Sequence, residues 1–168
     1  MSTLPVAFSD TFYKELCIKM TIGAWEAQNK RLDTLLSKLS DEQLAREVAP
    51  GRNSGVYLLG HLAAVNDGII VLLGFGEKLF PWLDPIFLTG PDKSGLPKPA
   101  VAELKKCWLD VNAALSGHMA NMEADQWFTR HTAVSEADFE KEPHRNKLSI
   151  LISRTSHQSY HLGQMAFL

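Results

Sequence analysis

Two histidines near the carboxyl end of the chain are the residues whose spacing first suggests chemistry. His157 and His161 lie four residues apart in the stretch SHQSYHLGQMAFL. Four residues is just over one turn of an α-helix, so both imidazoles would project from one face, one above the other. This spacing suits two ligands of one metal ion. A chain with six histidines contains roughly 0.2 such pairs by chance, so the pair alone also fits two ordinary core histidines.

A third histidine lies in an apolar segment far from this pair. His61 is preceded by Leu58 and Leu59 and followed by Leu62. Three unpaired imidazoles inside a protein would cost free energy, and a shared cation would remove that cost. Three histidines without a thiolate or carboxylate are typical of a catalytic site with an open position, because structural zinc sites usually have four protein ligands. Imidazole favours zinc, nickel or iron(II) over calcium or magnesium.

Two further residues share a face with these histidines and are candidates for catalysis. Arg154 lies about one turn before His157 and would pair with a carboxylate of a substrate or cofactor, or else extend from the bundle edge into solvent. Tyr57 lies one turn before His61 and would line the pocket or donate a hydrogen bond, or else simply pack in the core. Small and polar residues around the pair predict room for a cavity and acceptors for the outer ring nitrogens: Ser153, Ser156, Ser159, Gly163 and Gln164.

The remaining histidines are weaker candidates. His118 falls on the apolar stripe of a predicted helix, where it would be a fourth ligand or, more simply, a histidine at the core edge. His131 and His144 lie in a polar connection and are expected to be solvated. No HExxH motif, Glu-x-x-His pair on a helix, P-loop or nucleophile elbow occurs in the chain, so zincin proteases, di-iron bundles and serine hydrolases are not indicated.

Four segments with a helical period would position these residues, at about 10–39, 53–75, 100–122 and 146–168. In the first segment the predicted inward residues include Phe12, Leu16 and Met20. Asn53 or Ser54 would cap the second segment, and Gly74 and Gly76 would end it. The inward stripe of the fourth segment includes Ser153 and Tyr160, and residues 123–145 are predicted to form a short helical turn and then a surface loop.

Residues 76–99 hold five of the eight prolines and have no helical period. A connection of this length can return along the whole bundle, so the second and third helices are predicted to run parallel. The sequence therefore predicts an all-α four-helix bundle with a long crossover loop between helices 2 and 3.

Composition limits the class of protein. The chain has 168 residues, 45% of them hydrophobic and 21% charged, which fits one soluble globular domain spanning 1–168. A net charge of −2 and a pI of 6.3 argue against nucleic-acid binding. We see no secretory signal in MSTLPVAFSDTFYKEL and no uninterrupted apolar run long enough to span a membrane. Cys17 and Cys107 are expected to be buried or partly buried free thiols in a reducing cytoplasm.

The segments NSGVYLLGHLAAVND and TSHQSYHLGQMAFL together resemble the DinB/YfiT-like family of metal-binding four-helix bundles. The matching features are His61 in an apolar context in helix 2, and His157 and His161 in helix 4, followed by Gly163 and Gln164. The resemblance covers essentially the whole chain. It implies an up-down-down-up bundle, a homodimer, and a divalent metal held by His61, His157 and His161, with water in the open position.

The resemblance also suggests functions, because characterised relatives include transferases and isomerases that use low-molecular-weight thiols, and proteins proposed as hydrolases. The leading hypothesis is a metal-dependent thiol S-transferase acting on a small molecule, with zinc, nickel or iron lowering the pKa of a cofactor thiol. The alternatives are a metal-dependent hydrolase and a non-catalytic stress-response or binding module. Trp25, Ile69 and Ile70 lie off the main apolar stripes and would supply a dimer surface.

Overall fold

The regular structure of the chain is helical throughout the range described. A computed structural model describes residues 8–168. The four long helices are α1 (Asp10–Leu36), α3 (Gly55–Leu73), α4 (Val101–Met119) and α6 (Lys147–Met165), and two short helices, α2 (Asp41–Leu44) and α5 (Glu136–Lys141), lie between them. The predicted all-α class is therefore confirmed. The first seven residues of the segment inspected for a secretory signal lie outside the described residues.

Helix α3 is the central element of the fold, because it packs against both α4 and α6. Thirteen of its 19 residues are buried, which is typical of a helix that is apolar on all sides. As predicted, Ser54 caps its start by accepting the Tyr57 N–H, and Gly74 ends it in the left-handed region at φ +79°.

The apolar character of α3 adds one feature to the sequence-based expectation. The helix has a mean hydropathy of 1.8 over an 18-residue window, so by length and composition it passes the test for a membrane span. The sequence-based expectation concerned uninterrupted apolar runs, and His61, Asn66 and Asp67 interrupt this helix, so the average over the window is a property that the expectation did not consider. However, 67% of that window is buried within the structure, and the core helix of a helical bundle passes the same test.

Helix α1 buries a different face from the one predicted. Phe12, Leu16 and Met20 are exposed, Met20 by 66%, whereas Trp25 is fully buried. Helix α1 has 27 residues and its neighbour α6 has 19, so at 1.5 Å per residue α1 is longer by about 12 Å. The first turns of α1 therefore have fewer helices to pack against. Ile69 and Ile70 are buried as well, so the three residues expected to form a dimer surface lie inside the chain.

The long connection between α3 and α4 has more structure than the sequence predicted. It contains a 3₁₀ turn (Pro81–Leu83) and a π-helical turn (Pro85–Thr89). These turns are too short to produce a recognisable hydrophobic period. Their position is fixed by Asp67, a fully buried residue of α3 whose carboxylate accepts the backbone N–H groups of Leu79 and Phe80, both at 2.8 Å. Two main-chain donors are thus satisfied by one side chain.

The second connection and α6 also differ in part from prediction. The expected helical turn is present as a 3₁₀ turn (Ala124–Phe128) that buries Trp127. Helix α5 was missed, and none of its residues is buried, so it carries no amphipathic signal. On α6 the buried residues are Leu148, Leu151, Gln158 and Met165, whereas Ser153 and Tyr160 of the predicted stripe are exposed.

The core has two apolar parts. The first, here called the histidine-end core, includes Leu32, Leu58, Leu62, Phe87, Trp108 and Met165. The second, the distal core, includes Trp25, Ile69, Leu115, Trp127 and Leu151. Each long helix also contributes one side-chain amide near the boundary between the two cores. Asn66 donates to Asn112 at 2.8 Å, and Gln158 donates to Asn29 at 2.9 Å.

Candidate metal centre

Helices α3 and α6 bring the three predicted histidines together. The Nε2 atom of His157 lies 3.2 Å from Nε2 of His61 and 3.0 Å from Nε2 of His161. Each histidine is half-buried, and each offers one ligand atom within 4.8 Å of the other two. No Asp, Glu or Cys among residues 8–168 joins this group. The cluster is therefore purely imidazole, as the sequence predicted.

Hydrogen bonds fix the outer ring nitrogens of two of the histidines. The Nδ1–H of His61 donates to the backbone carbonyl of Phe87 at 2.8 Å. The Nδ1–H of His161 donates to the side-chain carbonyl of Gln164 at 2.7 Å, and the Gln164 amide donates to the Tyr160 hydroxyl at 3.1 Å. A carbonyl oxygen only accepts, so both rings carry hydrogen on Nδ1. Their Nε2 lone pairs are left facing His157.

The protein atoms alone do not satisfy this arrangement. Nδ1 of His157 is buried and has no hydrogen-bond partner among the described residues. If His157 carries its hydrogen on Nδ1, that donor is unpaired and three lone pairs converge. If the hydrogen is on Nε2, it serves two acceptors while Nδ1 remains an unpaired buried acceptor. A cation would accept all three Nε2 lone pairs at once and would fix the hydrogen of His157 on Nδ1, which still has no partner among the described residues.

The separations between the nitrogens also fit a metal. A zinc–histidine bond is about 2.0–2.1 Å long, so two such ligands at 90–110° to one another are roughly 2.9–3.4 Å apart. The two measured Nε2 separations, 3.2 and 3.0 Å, fall within this range. The donor set and its geometry therefore fit a divalent transition metal held by His61, His157 and His161.

The electrostatic environment favours the neutral form of two of these ligands, His157 and His161. Burial, followed by the nearby His161, His61 and Arg154, lowers the pKa of His157 from 6.5 to about 4. Burial also lowers the pKa of His161, against the raising effect of its hydrogen bond to Gln164. Because metal ions bind the deprotonated imidazole, lowered pKa values leave the ligands ready to bind at neutral pH.

The long connection positions His61. The Phe87 ring packs so closely on α3 that a Cβ at residue 60 would lie 2.4 Å from it, so Gly60 allows the approach. The Phe87 carbonyl that accepts from His61 belongs to the π-helical turn, a type of turn that is frequent at functional sites. The Phe87 carbonyl could not be predicted from the sequence, because a backbone carbonyl belongs to no sequence motif. The one local indication of a close approach to α3 was Gly60, the residue before His61.

The two catalytic candidates occupy different environments. The Tyr57 side chain is buried, and its hydroxyl lies 2.9 Å from the Gly90 carbonyl and 3.3 Å from the Phe87 carbonyl. Its single hydrogen therefore anchors the connection. Arg154 is half-buried, and its Nε has no hydrogen-bond partner among the described residues. The charge of Arg154 contributes to the lowered pKa of His157. Arg154 therefore lies near the three histidines, His61, His157 and His161, which are called the triad below.

The other histidines lie outside the cluster. His118 is exposed and stacks on Phe75, with the ring centroids 4.7 Å apart, and Phe75 packs against the distal core. His118 therefore lies at the edge of the core and not in the cluster. His131 is half-buried, not solvated, and burial and the nearby Arg145 lower its pKa. His144 is exposed, as expected.

The space beside the triad is not formed by the small residues of α6. Ser153, Ser156 and Gly163 are exposed on that helix, so the expectation that they make room for a cavity is wrong. Instead, a cavity of about 260 Å³ lies beside His161, between α6 and the loop before α3. Of the polar neighbours predicted to serve the rings, Gln164 does accept from His161.

Comparison with known proteins places the chain in a family. Residues 24–165 match the DinB superfamily. The chain belongs to the DinB superfamily. A crystal structure titled as the conserved protein of locus from Enterococcus faecalis has a similar fold, with a TM-score of 0.64, 16% sequence identity, and coverage of 96% of this chain and 95% of that one. No curated protein matches the chain. The superfamily assignment confirms the resemblance inferred from the histidine motifs.

Proposed function

We propose that this DinB-superfamily protein is a metal-dependent enzyme that joins a low-molecular-weight thiol to an electrophilic small molecule. The observation that carries the proposal is the convergence of three imidazole Nε2 atoms with no anionic ligand among the described residues. Such a donor set holds a divalent zinc, nickel or iron ion and leaves coordination positions for a substrate.

The chemistry supplied by the bound cation would be a lowered pKa for a coordinated thiol or water. Either nucleophile would be generated by the cation without a neighbouring base. The donor set therefore supports the thiol and the water equally, and the choice of the thiol rests on the family resemblance. In the transfer, the thiol proton passes to solvent, a carbon–sulfur bond forms, and the leaving group departs with its bonding electron pair.

The residues around the triad would orient the site. Gln164 and the Phe87 carbonyl hold the rings of His161 and His61 by their outer nitrogens, so the Nε2 lone pairs point to one place. Arg154 would favour an anionic group near His157, and its unpartnered Nε supports this role. Tyr57 would act by positioning, since its hydroxyl anchors the connection that supplies the Phe87 carbonyl.

Metal content is the first test, measured by elemental analysis of untagged protein. The proposal expects one equivalent of zinc, nickel or iron per chain, lost in His157→Ala/His161→Ala. The loaded protein is then incubated with cysteinyl thiols and an electrophilic acceptor, and separately with ester and amide substrates. Activity in the second set alone, abolished by His157→Ala, would establish the hydrolase instead. Activity in neither set, with metal bound and its loss lowering only the melting temperature, would favour the non-catalytic module.

We also infer the up-down-down-up arrangement of the four long helices from the side-chain contacts. In the histidine-end core, residues from the carboxyl-terminal part of α1 and α6 meet residues from the amino-terminal part of α3 and α4. In the distal core, the opposite parts of the same helices meet. These contacts support α1 and α6 running one way and α3 and α4 the other.

A homodimer in the cytoplasm is the remaining proposal. The apolar residues available for a dimer surface are on α1, where Tyr13, Leu16 and Met20 are exposed. Light scattering of the wild type and of Met20→Glu tests the homodimer. The wild type should be a dimer that Met20→Glu weakens, and a monomeric wild type would contradict the proposal. Cys17 and Cys107 are both free thiols, which supports a reducing compartment. Cys107 is buried as expected, but Cys17 is exposed, so the expectation of burial is wrong for Cys17.

A further inference from the structure

Part of the lining of the cavity beside His161 has no role in the proposed metal site. On one side lie Tyr160 and Gln164 of α6, and on the other the loop between α2 and α3 contributes Arg52. The volume, about 260 Å³, is slightly below the roughly 300–1,000 Å³ of pockets for drug-sized ligands. The cavity therefore suits a small molecule that contacts His161, the one member of the cluster in its lining.

The loop that presents Arg52 has a fixed backbone. The N–H of Val48 donates to the carbonyl of Asn53 at 3.0 Å, and the N–H of Gly55 donates to the carbonyl of Arg46 at 3.1 Å. Gly51, at φ +75°, makes the turn that a side chain would strain. The N–H of Arg52 itself donates to the carbonyl of Ala49 at 2.9 Å, so the backbone of Arg52 is fixed at the cavity while its side chain is exposed.

The charge of Arg52 is not neutralised by the described part of the protein. Two acidic residues near this loop in sequence or contact are already paired, Glu47 with Lys93 and Asp92 with Lys98. Arg52 itself has no ion pair with any residue in the range 8–168. A divalent ion on three neutral imidazoles would also keep its full charge. The cavity would then adjoin two cationic groups, Arg52 and the bound ion, with no acidic residue in its lining, which favours an anionic ligand.

We propose that this cavity is a subsite for the carboxylate of a small bifunctional substrate, with Arg52 pairing the carboxylate while the other end of the molecule reaches the metal position. The planar guanidinium matches a carboxylate with two parallel hydrogen bonds. Tyr160 extends the same wall, and its hydroxyl accepts from Gln164, which leaves its own hydrogen free to donate. This subsite rests on the proposed metal-dependent function.

The test uses full-length protein loaded with cobalt(II), after metal uptake has been measured separately. Two matched pairs of probes are titrated: 3-mercaptopropionate against 2-mercaptoethanol, followed by thiolate-to-cobalt absorption, and malonate against acetate, followed by the visible spectrum of the cobalt. In each pair the first probe adds a carboxylate that can reach Arg52. The variants are Arg52→Gln and, as a matched control, Arg46→Gln, an exposed arginine of the same loop that does not line the cavity.

The expected result is a preference of about tenfold or more for the carboxylate-bearing probe in wild type and Arg46→Gln. Arg52→Gln should remove the preference without changing cobalt uptake or the affinity for 2-mercaptoethanol. Equal affinities in wild type, or a preference that survives Arg52→Gln, would overturn the subsite. Malonate preference without any thiolate absorption would keep the subsite and reject the thiol. Failure to take up cobalt would reject the proposed function and the subsite together.

Discussion

The two ends of the bundle are built on different principles. The distal core is apolar, and Trp25, Trp127 and Leu151 are buried there with almost no exposed surface. At the other end, α3 and α6 hold three half-buried imidazoles whose Nε2 atoms face one another. Burying an apolar side chain stabilises the fold in any chemical state, whereas converging lone pairs are favourable only when something binds them. Apolar burial therefore stabilises both ends of the bundle, whereas the candidate chemistry is confined to the histidine end.

The largest effect expected from a substitution that tests this comparison is a loss of zinc affinity at the histidine end. His157→Ala/His161→Ala removes two of three ligands and should lower zinc affinity by at least about 10³-fold, given the strength of metal–imidazole binding. Isothermal titration with zinc at neutral pH measures this. His118→Ala is the control, because His118 is exposed and lies outside the cluster. Undiminished zinc binding in the double variant would remove the metal centre from this site.

A substitution in the distal core should lower the stability of the fold and leave zinc binding unchanged. Leu151 is fully buried there, and Leu→Ala in such a site typically costs about 2–5 kcal/mol of unfolding free energy. Denaturant titration of metal-free Leu151→Ala should detect that loss. Zinc stoichiometry, measured while the variant is still folded, should stay at the wild-type value. Loss of zinc from the folded variant would show that the two ends are coupled.

The same separation explains which parts of the molecule the sequence could predict. His61, His157, His161 and Gln164 were identified because identity and helical spacing define their geometry once α3 and α6 exist. The partner of His61 was not, because it is the Phe87 backbone carbonyl in a five-residue turn. Arg52 was missed for a related reason, since a loop residue has no periodicity to connect it with α6.

The buried faces of the helices show a further limit. For α3 the end signals Ser54 and Gly74 were read correctly, because caps depend on local chemistry. For α1 the pattern predicted that Met20 faces the core and that Trp25 does not, whereas in the structure Met20 is exposed and Trp25 is buried. The choice between two apolar faces of one helix depends on which neighbours are present along its length, and that information is not local.

A smaller effect is expected from the hydrogen bond that orients His161. Gln164→Ala removes the acceptor of its Nδ1–H, and loss of such an outer partner typically weakens metal binding about 10–100-fold. Gln164→Glu keeps an acceptor at that position and should retain affinity near the wild-type value. Zinc titration of both variants tests this. Equal losses in the two would mean that Gln164 acts by packing and not as an acceptor.

The smallest expected effect concerns the metal-free protein and its stability at different pH values. The pKa of His157 is lowered to about 4 in the fold, whereas an unfolded histidine has a pKa of about 6.5. Between these values the unfolded chain binds more protons than the folded one, so the free energy of unfolding should rise as pH rises from about 4 to 6.5. Above about 6.5 both states are neutral and His157 adds no further slope.

Comparison of His157→Gln with wild type isolates this contribution. The variant cannot titrate at residue 157, so its unfolding free energy, measured by urea titration of metal-free protein across this range, should rise less steeply with pH. Some slope should remain, because the pKa of His161 is also lowered by burial. Leu151→Ala should be less stable at every pH but keep the wild-type slope, because it removes no ionisable group. Parallel curves for wild type and His157→Gln would mean that His157 is not the group that makes the histidine end sensitive to protons.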